Sequence, residues 1–275
     1  MDIKRYVKCL TIAGSDSGGG AGIQADIKTM SALGVFGMSA ITAVTAQNTV
    51  GVAGIAAVPS DMVKAQIDAV LSDIGADSVK IGMIYLPETA WIIADAIDRY
   101  SPGAVVLDPV LVSSTNCDLS TEDCRTVILN EIMKRSTVIT PNKDEAEKLS
   151  GITISGREDM KKAACILIEK GAKAVLVKGG HVIEGGLSSD ILVMNDGTER
   201  WFAGKSIESN NTHGTGCSLS SAIASYLALG EDLCSAVAKA KDFISAAILN
   251  GKDVKTGNGM GPVNHFFAPI PLIKS

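Results

Sequence analysis

Residues 9–34 read CLTIAGSDSGGGAGIQADIKTMSALG, a short apolar run, a glycine-rich turn and an amphipathic run in direct succession. The first run has the length of a buried strand and the last the spacing of a helix, so the stretch predicts strand, loop and helix in that order. The alternation continues: SVKIGMI precedes PETAWIIADAIDRY, AVVLDP precedes TEDCRTVILNEIM, and STVITP precedes NKDEAEKLSG. Such alternation predicts an α/β fold with a mostly parallel sheet covered by helices on both faces. After Ser60, the residues Val63, Ile67, Val70, Leu71 and Ile74 recur at helical spacing, with Ser60 as the expected N-cap and Gly75 as the stop. The rhythm breaks at DILVMNDGTERWFAG, where Asn195-Asp196-Gly197 separates two extended runs and predicts an antiparallel edge hairpin. No linker or repeat divides the chain, so residues 1–275 read as a single domain.

Composition narrows the partners. The chain carries 25 basic and 30 acidic residues, a net charge of -5, with no Lys/Arg block to bind nucleic acid or anionic lipid. A small-molecule partner is expected. Cys9, Cys117, Cys124, Cys165, Cys217 and Cys234 lie far apart without C-x-x-C spacing, which argues for reduced thiols in a cytoplasm rather than a zinc site or redox pair. The N-terminal apolar run is too short for a signal peptide, and no segment reaches membrane-spanning length.

The first glycine cluster contains Gly20-Ala21-Gly22-Ile23-Gln24-Ala25, a match to the dinucleotide pattern G-x-G-x-x-A. That reading needs a carboxylate about 20 residues on to hold a ribose. Between Asp26 and Asp61 there is no Asp or Glu, so an NAD-dependent oxidoreductase is set aside. The second cluster, NNTHGTGCS at 210–218, runs into LSSAIASYLALG, and its small residues leave backbone N–H groups bare at a helix start. Free donors and the helix dipole bind anions there, although a plain glycine turn into a buried helix fits the same letters. Cys217 falls in the first helical turn, where the dipole lowers a thiol pKa. It reads as base or nucleophile, or as a residue small enough for the turn. His213 is a weaker candidate base, having no evident carboxylate partner in the sequence.

Oxygen donors come from Asp108, which ends the strand VVLDP, and from Asn142 and Glu145, which open a helix after Pro141. They suit Mg²⁺ that keeps several waters and binds substrate phosphates, and each alone also suits a helix cap or a solvated charge. Lys178 ends AVLVKGG, a good position for a point charge facing phosphate.

Taken in order, GSDSGGGAGIQADIKT, ITAVTAQNT, KIGM, LDPV, TPNKDEA, VLVKGGH and NTHGTGCSLS resemble the hydroxymethylpyrimidine and phosphomethylpyrimidine kinases of the ribokinase-like superfamily, from Leu10 to about Pro262. The resemblance implies a three-layer α/β/α sandwich that phosphorylates 4-amino-5-hydroxymethyl-2-methylpyrimidine and then its monophosphate, with ATP and Mg²⁺, as a homodimer. It puts Gln47 on the ring edge and Gly14, Ala21, Met83 and Val110 around the ring, with Asp16 nearby. It puts the nucleotide and the transferring phosphate near Lys178, Thr212 and the loop Gly214, Thr215, Gly216, Cys217. Sugar kinases of the wider superfamily carry Asp where Cys217 stands, so Cys217 inherits the position of the base that accepts the hydroxyl proton.

Two departures from the family pattern stand out. The loop VLVSSTNCDLS lacks the Lys and Ser-Gly pair usual in the mobile flap, and Ser17-Gly18 replaces a common Pro-Ser pair. Related enzymes with a G-T-G-C loop phosphorylate pyridoxal or pyridoxine, some with a second flap Cys. Cys117 lies four residues past the aligned position, Ser113. A pyridoxal kinase and a non-catalytic pyrimidine-binding regulator are therefore the alternatives. The Lys178, Glu145 and Gly-Thr-Gly-Cys set favours a working phosphoryl site over the regulator.

Overall fold

The computed structural model describes residues 3–111, 121–180, the backbone of 183–184, and 187–274. Strands β1 (Lys8–Asp16), β2 (Phe36–Gln47), β3 (Val52–Ala57), β4 (Ser78–Ile81), β5 (Ala104–Leu107), β6 (Val138–Ile139), β7 (Ala174–Val177), β8 (Ile183–Glu184), β9 (Leu187–Met194) and β10 (Glu199–Lys205) form one sheet. Its order is β10-β9-β7-β6-β5-β4-β1-β2-β3, with β8 beside β9. The centre from β2 to β7 is parallel.

Alternate residues of the central strands point into two separate cores, because successive side chains of a strand face opposite ways. Val105, Leu107, Val175 and Val177 enter one core, built with α2 (Ser60–Ala69), α3 (Pro87–Tyr100), α4 (Glu122–Val127), α5 (Met133–Arg135), α6 (Lys143–Ser150) and α7 (Arg157–Glu169). Val106, Ala174 and Leu176 enter the other, built with α1 (Gly22–Ala32), α8 (Thr215–Ala228) and α9 (Leu233–Leu249). The result is the expected α/β/α sandwich.

The edge hairpin forms where Asn195-Asp196-Gly197 predicts it: β9 pairs antiparallel with β10, and Gly197 takes a φ of 89° that favours glycine. The opposite edge is also antiparallel, β2 pairing with β3, which the alternation alone does not predict. Asn48 to Gly51 is too short a connection for a parallel crossover. Two details of the segment after Ser60 differ from expectation. Pro59 is the N-cap and Ser60 the first helical residue, its hydroxyl 3.2 Å from that of Thr89 instead of capping the helix. A π-turn at Val70–Ile74 then slips the apolar stripe, so Ile74 is 41% exposed while Val63 and Ile67 are buried. Gly75 ends the segment at a φ of 71°. Among the described residues, no helix is long and apolar enough to cross a membrane.

Candidate active site

The carboxyl ends of β1, β4, β5 and β7 open into one cleft of about 890 Å³. Its walls include Gly14, Asp16, Ala21, Gln47, Met83 and Val110, the oxygen donors Asp108, Asn142 and Glu145, and Lys178, Thr212, Gly214, Thr215, Gly216 and Cys217. Loops far apart in sequence meet there because parallel strands release their chains on the same side.

At one end the pocket is apolar. Ala43 and Met83 form a small cluster of their own with Ile55, Tyr85 and Val110 packed against it. A side chain at Gly14 would come within 2.9 Å of Met83 Sδ, so glycine there keeps the wall flat. Gln47 stands at this end, its main chain clamped by Ser17, whose Oγ accepts from Gln47 N at 2.8 Å and donates to Gln47 O at 2.7 Å.

The first glycine loop holds its own carboxylate. Asp16 Oδ1 accepts from Gly18 N at 2.8 Å, and Oδ2 accepts from Gly20 N at 3.0 Å and Ala21 N at 2.8 Å. These are the donors a phosphate would use, and they are taken. Oδ2 also lies 2.9 Å from His213 Nε2. His213 therefore has the carboxylate partner that the sequence did not reveal, across 197 positions. Burial alone would raise the Asp16 carboxyl, but His213 and the N–H groups outweigh it and hold it below the usual range.

In the second loop Thr215 N donates to Thr212 O at 3.3 Å, and the N-cap of α8 makes no side-chain hydrogen bond. Gly214 caps α8 at a φ of 81°, no acidic residue follows in the first turn, and the initial N–H groups of α8 lie outside its own ladder. Beside it, Lys178 Nζ donates to Asp108 Oδ1 at 2.9 Å, and Thr140 Oγ1 donates to the same oxygen at 3.1 Å. Burial pushes the Asp108 carboxyl up, yet Lys178 and Lys80 hold it below the usual range. Asn142 caps α6, its Oδ1 accepting from Glu145 N at 2.9 Å while Glu145 Oε2 accepts from Asn142 N at 2.8 Å, a capping box. Burial, with Asp108 adding to it against the pull of Lys178, pushes the Glu145 carboxyl up to about 7. Among the described residues, no group of three or more His, Cys, Asp or Glu gathers to hold a metal.

Cys217 sits in the first turn of α8, where the dipole favours thiolate, but burial dominates and pushes the thiol up to about 11. That reverses the expected direction. Lys80, in β4, pulls the other way. It is fully buried, its Nζ 3.0 and 2.9 Å from the two oxygens of Asp26 in α1. Asp26 also accepts from Thr11 Oγ1 and from Ser221 Oγ, both at 2.6 Å. Ser221 lies one helical turn after Cys217, so the ion pair is tied directly beneath the thiol's own helix. A lysine inside the apolar run SVKIGMI was the available signal for this pair. Ser113 and Cys117 of the flap lie outside the described residues.

Fold and cleft together define the class: a kinase of the ribokinase-like fold, built for phosphoryl transfer to a small molecule. A family model described as phosphomethylpyrimidine kinase matches residues 16–264, and the chain belongs to that family. It is 48% identical to the hydroxymethylpyrimidine/phosphomethylpyrimidine kinase of Rhizobium meliloti over 94% of this chain and 96% of that one. It spans only about half the length of two bifunctional thiamine-biosynthesis relatives, 52% and 47%. The crystal structure of a phosphomethylpyrimidine kinase from Clostridium difficile is 42% identical, with a TM-score of 0.77, over 88% of this chain and 99% of that one. A pyridoxal kinase from Staphylococcus aureus in complex with ADP is 34% identical, with a TM-score of 0.87, over 95% and 94%.

Proposed function

We propose that the chain transfers the γ-phosphoryl group of ATP to the hydroxymethyl oxygen of 4-amino-5-hydroxymethyl-2-methylpyrimidine, and then to the resulting monophosphate. The observation that carries this reading is the joining, in one cleft, of an amide-edged apolar pocket to a helix N-terminus whose N-cap makes no side-chain hydrogen bond, with Lys178 beside it. Gln47 offers a donor and an acceptor to the aminopyrimidine edge. Gly14, Ala21, Met83 and Val110 bound the ring, and Asp16 supports it indirectly, through the loop it organises. Phosphoryl transfer needs positioning and charge stabilisation more than covalent help. Lys178, Thr212 and the loop of Gly214, Thr215 and Gly216 supply both to the phosphates. Cys217, in its thiolate form, takes the hydroxyl proton of the first transfer.

The donor set fits Mg²⁺. Glu145 is a buried carboxyl short of positive charge, Asp108 is ionised beside it, and Asn142 keeps one amide lone pair beyond its cap. Asp108, Glu145 and Asn142 would hold the ion, directly or through water, and the ion would neutralise phosphate charge. The free thiols of Cys9, Cys124, Cys165, Cys217 and Cys234 support a cytoplasmic setting. The family resemblance supports a homodimer.

A second reading, pyridoxal or pyridoxine phosphorylation, draws on the closeness of the pyridoxal kinase shape. It stands as a side activity. The test is a coupled ADP-release assay with hydroxymethylpyrimidine, its phosphate, pyridoxal and pyridoxine in parallel. Turnover is expected with both pyrimidines; none with either overturns the reading.

A further inference from the structure

The Asp16, His213 and Gln47 side chains pose a problem of hydrogen count whose solution assigns His213 a role. Asp16 accepts backbone N–H bonds at both oxygens, as an ionised carboxylate does. A carboxylate accepts only, so His213 Nε2, 2.9 Å from Oδ2, carries a hydrogen and donates it. Gln47 Nε2 lies 3.4 Å from that same nitrogen, which sets donor against donor. The other end of the amide is mismatched too. Thr45 Oγ1 has one hydrogen and donates it to the carbonyl of Ser15 at 2.9 Å, leaving an acceptor 3.1 Å from Gln47 Oε1.

A half-turn of the Gln47 terminal amide resolves both mismatches at once, because it exchanges oxygen and nitrogen. We infer that Gln47 rests with Nε2 donating to Thr45 Oγ1 and Oε1 turned to His213 Nε2–H as the longer, second acceptor of the one hydrogen that Asp16 Oδ2 holds at 2.9 Å, and that His213, seated on Asp16, is a positioning residue that sets ring selectivity. The Ser17 clamp holds the Gln47 main chain, so the side-chain torsions, the terminal amide among them, are the freedom that His213 limits.

The inference rests on the reading of Gln47 as the ring contact. With the amide fixed, one N–H and one Oε1 lone pair remain for substrate in a single order. An aminopyrimidine, with a ring nitrogen beside an exocyclic amine, matches that order. Pyridoxine has a methyl group and a C–H flanking its ring nitrogen, so it leaves Oε1 unpaired. Asp16 and His213 thus act on specificity through Gln47 without touching the ring themselves.

The experiment compares kcat and KM for hydroxymethylpyrimidine and pyridoxine in the full-length protein, His213→Leu and His213→Gln. His213→Leu frees the amide, so the pyrimidine KM is expected to rise about tenfold or more while the pyridoxine KM holds, shrinking the selectivity ratio by the same factor. His213→Gln returns a donor to Asp16 and Gln47 and is expected to restore most of the ratio. In a Gln47→Leu background, His213→Leu should leave the ratio where it is. Equal losses for both rings, no rescue by Gln, or a ratio that still moves without Gln47 would each overturn the assignment. Should His213→Leu fail to fold, the wild-type protein decides by NMR: the Gln47 side-chain amide protons are expected to show cross-peaks to Thr45, and cross-peaks to the His213 ring instead would overturn it. Absence of wild-type turnover with either pyrimidine would refute the function and leave the NMR result standing by itself.

Discussion

Removing the Lys80 ammonium isolates the electrostatics beneath the site. In Lys80→Met the Asp26 carboxylate stays fully buried, keeping the Thr11 and Ser221 hydroxyls as side-chain partners among the described residues. Breaking a buried pair from one side costs about 3–5 kcal/mol, because the remaining charge has lost its counter-charge and gained no water. At roughly 2–4 °C per kcal/mol for a chain of this size, the melting midpoint should fall by about 10 °C. Asp26→Asn should cost a similar amount for the mirrored reason, an uncompensated ammonium. The double variant Lys80→Met/Asp26→Asn removes both charges and keeps an amide to meet the hydroxyls. Its cost should be smaller than the sum of the singles by about 2 kcal/mol or more. Guanidinium unfolding, followed in parallel by circular dichroism and tryptophan fluorescence, measures the three changes on one scale. Cys217 gives a second reading, since the nearby ammonium eases its ionisation: alkylation of Cys217 at pH 9 should slow in Lys80→Met. A loss below about 1 kcal/mol in Lys80→Met, or strict additivity in the double variant, would refute the reasoning.

Three further outcomes are expected. A Cys217 thiol held near 11 is mostly protonated at neutral pH, so kcat should climb with pH from 7 to 9, and Cys217→Asp should flatten that climb. Cys217→Ala should lower kcat by roughly a hundredfold or more with little change in KM, and a flat wild-type profile with near-normal kcat in the Ala variant would remove Cys217 from the chemistry. His265 is buried against Ser218, and burial, helped by Lys28, lowers its ring to about 4 from 6.5. The unfolded chain takes up that proton first, so stability should be retained above pH 6.5 and fall by up to about 3 kcal/mol as pH drops to 4. The difference between wild type and His265→Gln across that window, read by urea unfolding, isolates the contribution. Parallel curves would contradict it.

Local signals in the sequence carry most of the fold. The alternation of apolar and amphipathic runs marks the central strands and helices, and Asn195-Asp196-Gly197 marks its own hairpin, because each depends on a few neighbouring residues. The π-turn at Val70–Ile74 was hidden, since helical spacing assumes a constant period and one slipped turn turns Ile74 outward. The β2 and β3 edge was hidden because an apolar run does not declare its direction. Loop residues facing the cleft were legible as a group, since parallel strand ends converge. Their pairings were not: Asp16 finds His213 and Lys80 finds Asp26 through tertiary folding, and nothing in either residue's neighbours names its partner. Cys217 illustrates competition between two rules, the helix dipole favouring the thiolate and burial opposing it, which only the packed environment decides.

The contact between Gly20 and Gly214 has a mechanical consequence. A side-chain carbon at Gly214 would lie 1.8 Å from Gly20 O, and one at Gly20 would lie 2.4 Å from the His213 ring. The two glycine loops therefore meet main chain against main chain, with no room for a side chain between them. A first phosphorylation presents a short acceptor and a second presents one lengthened by a phosphate. On the proposed function both acceptors would lie beside this one glycine contact, so a side chain at either glycine should disturb both transfers.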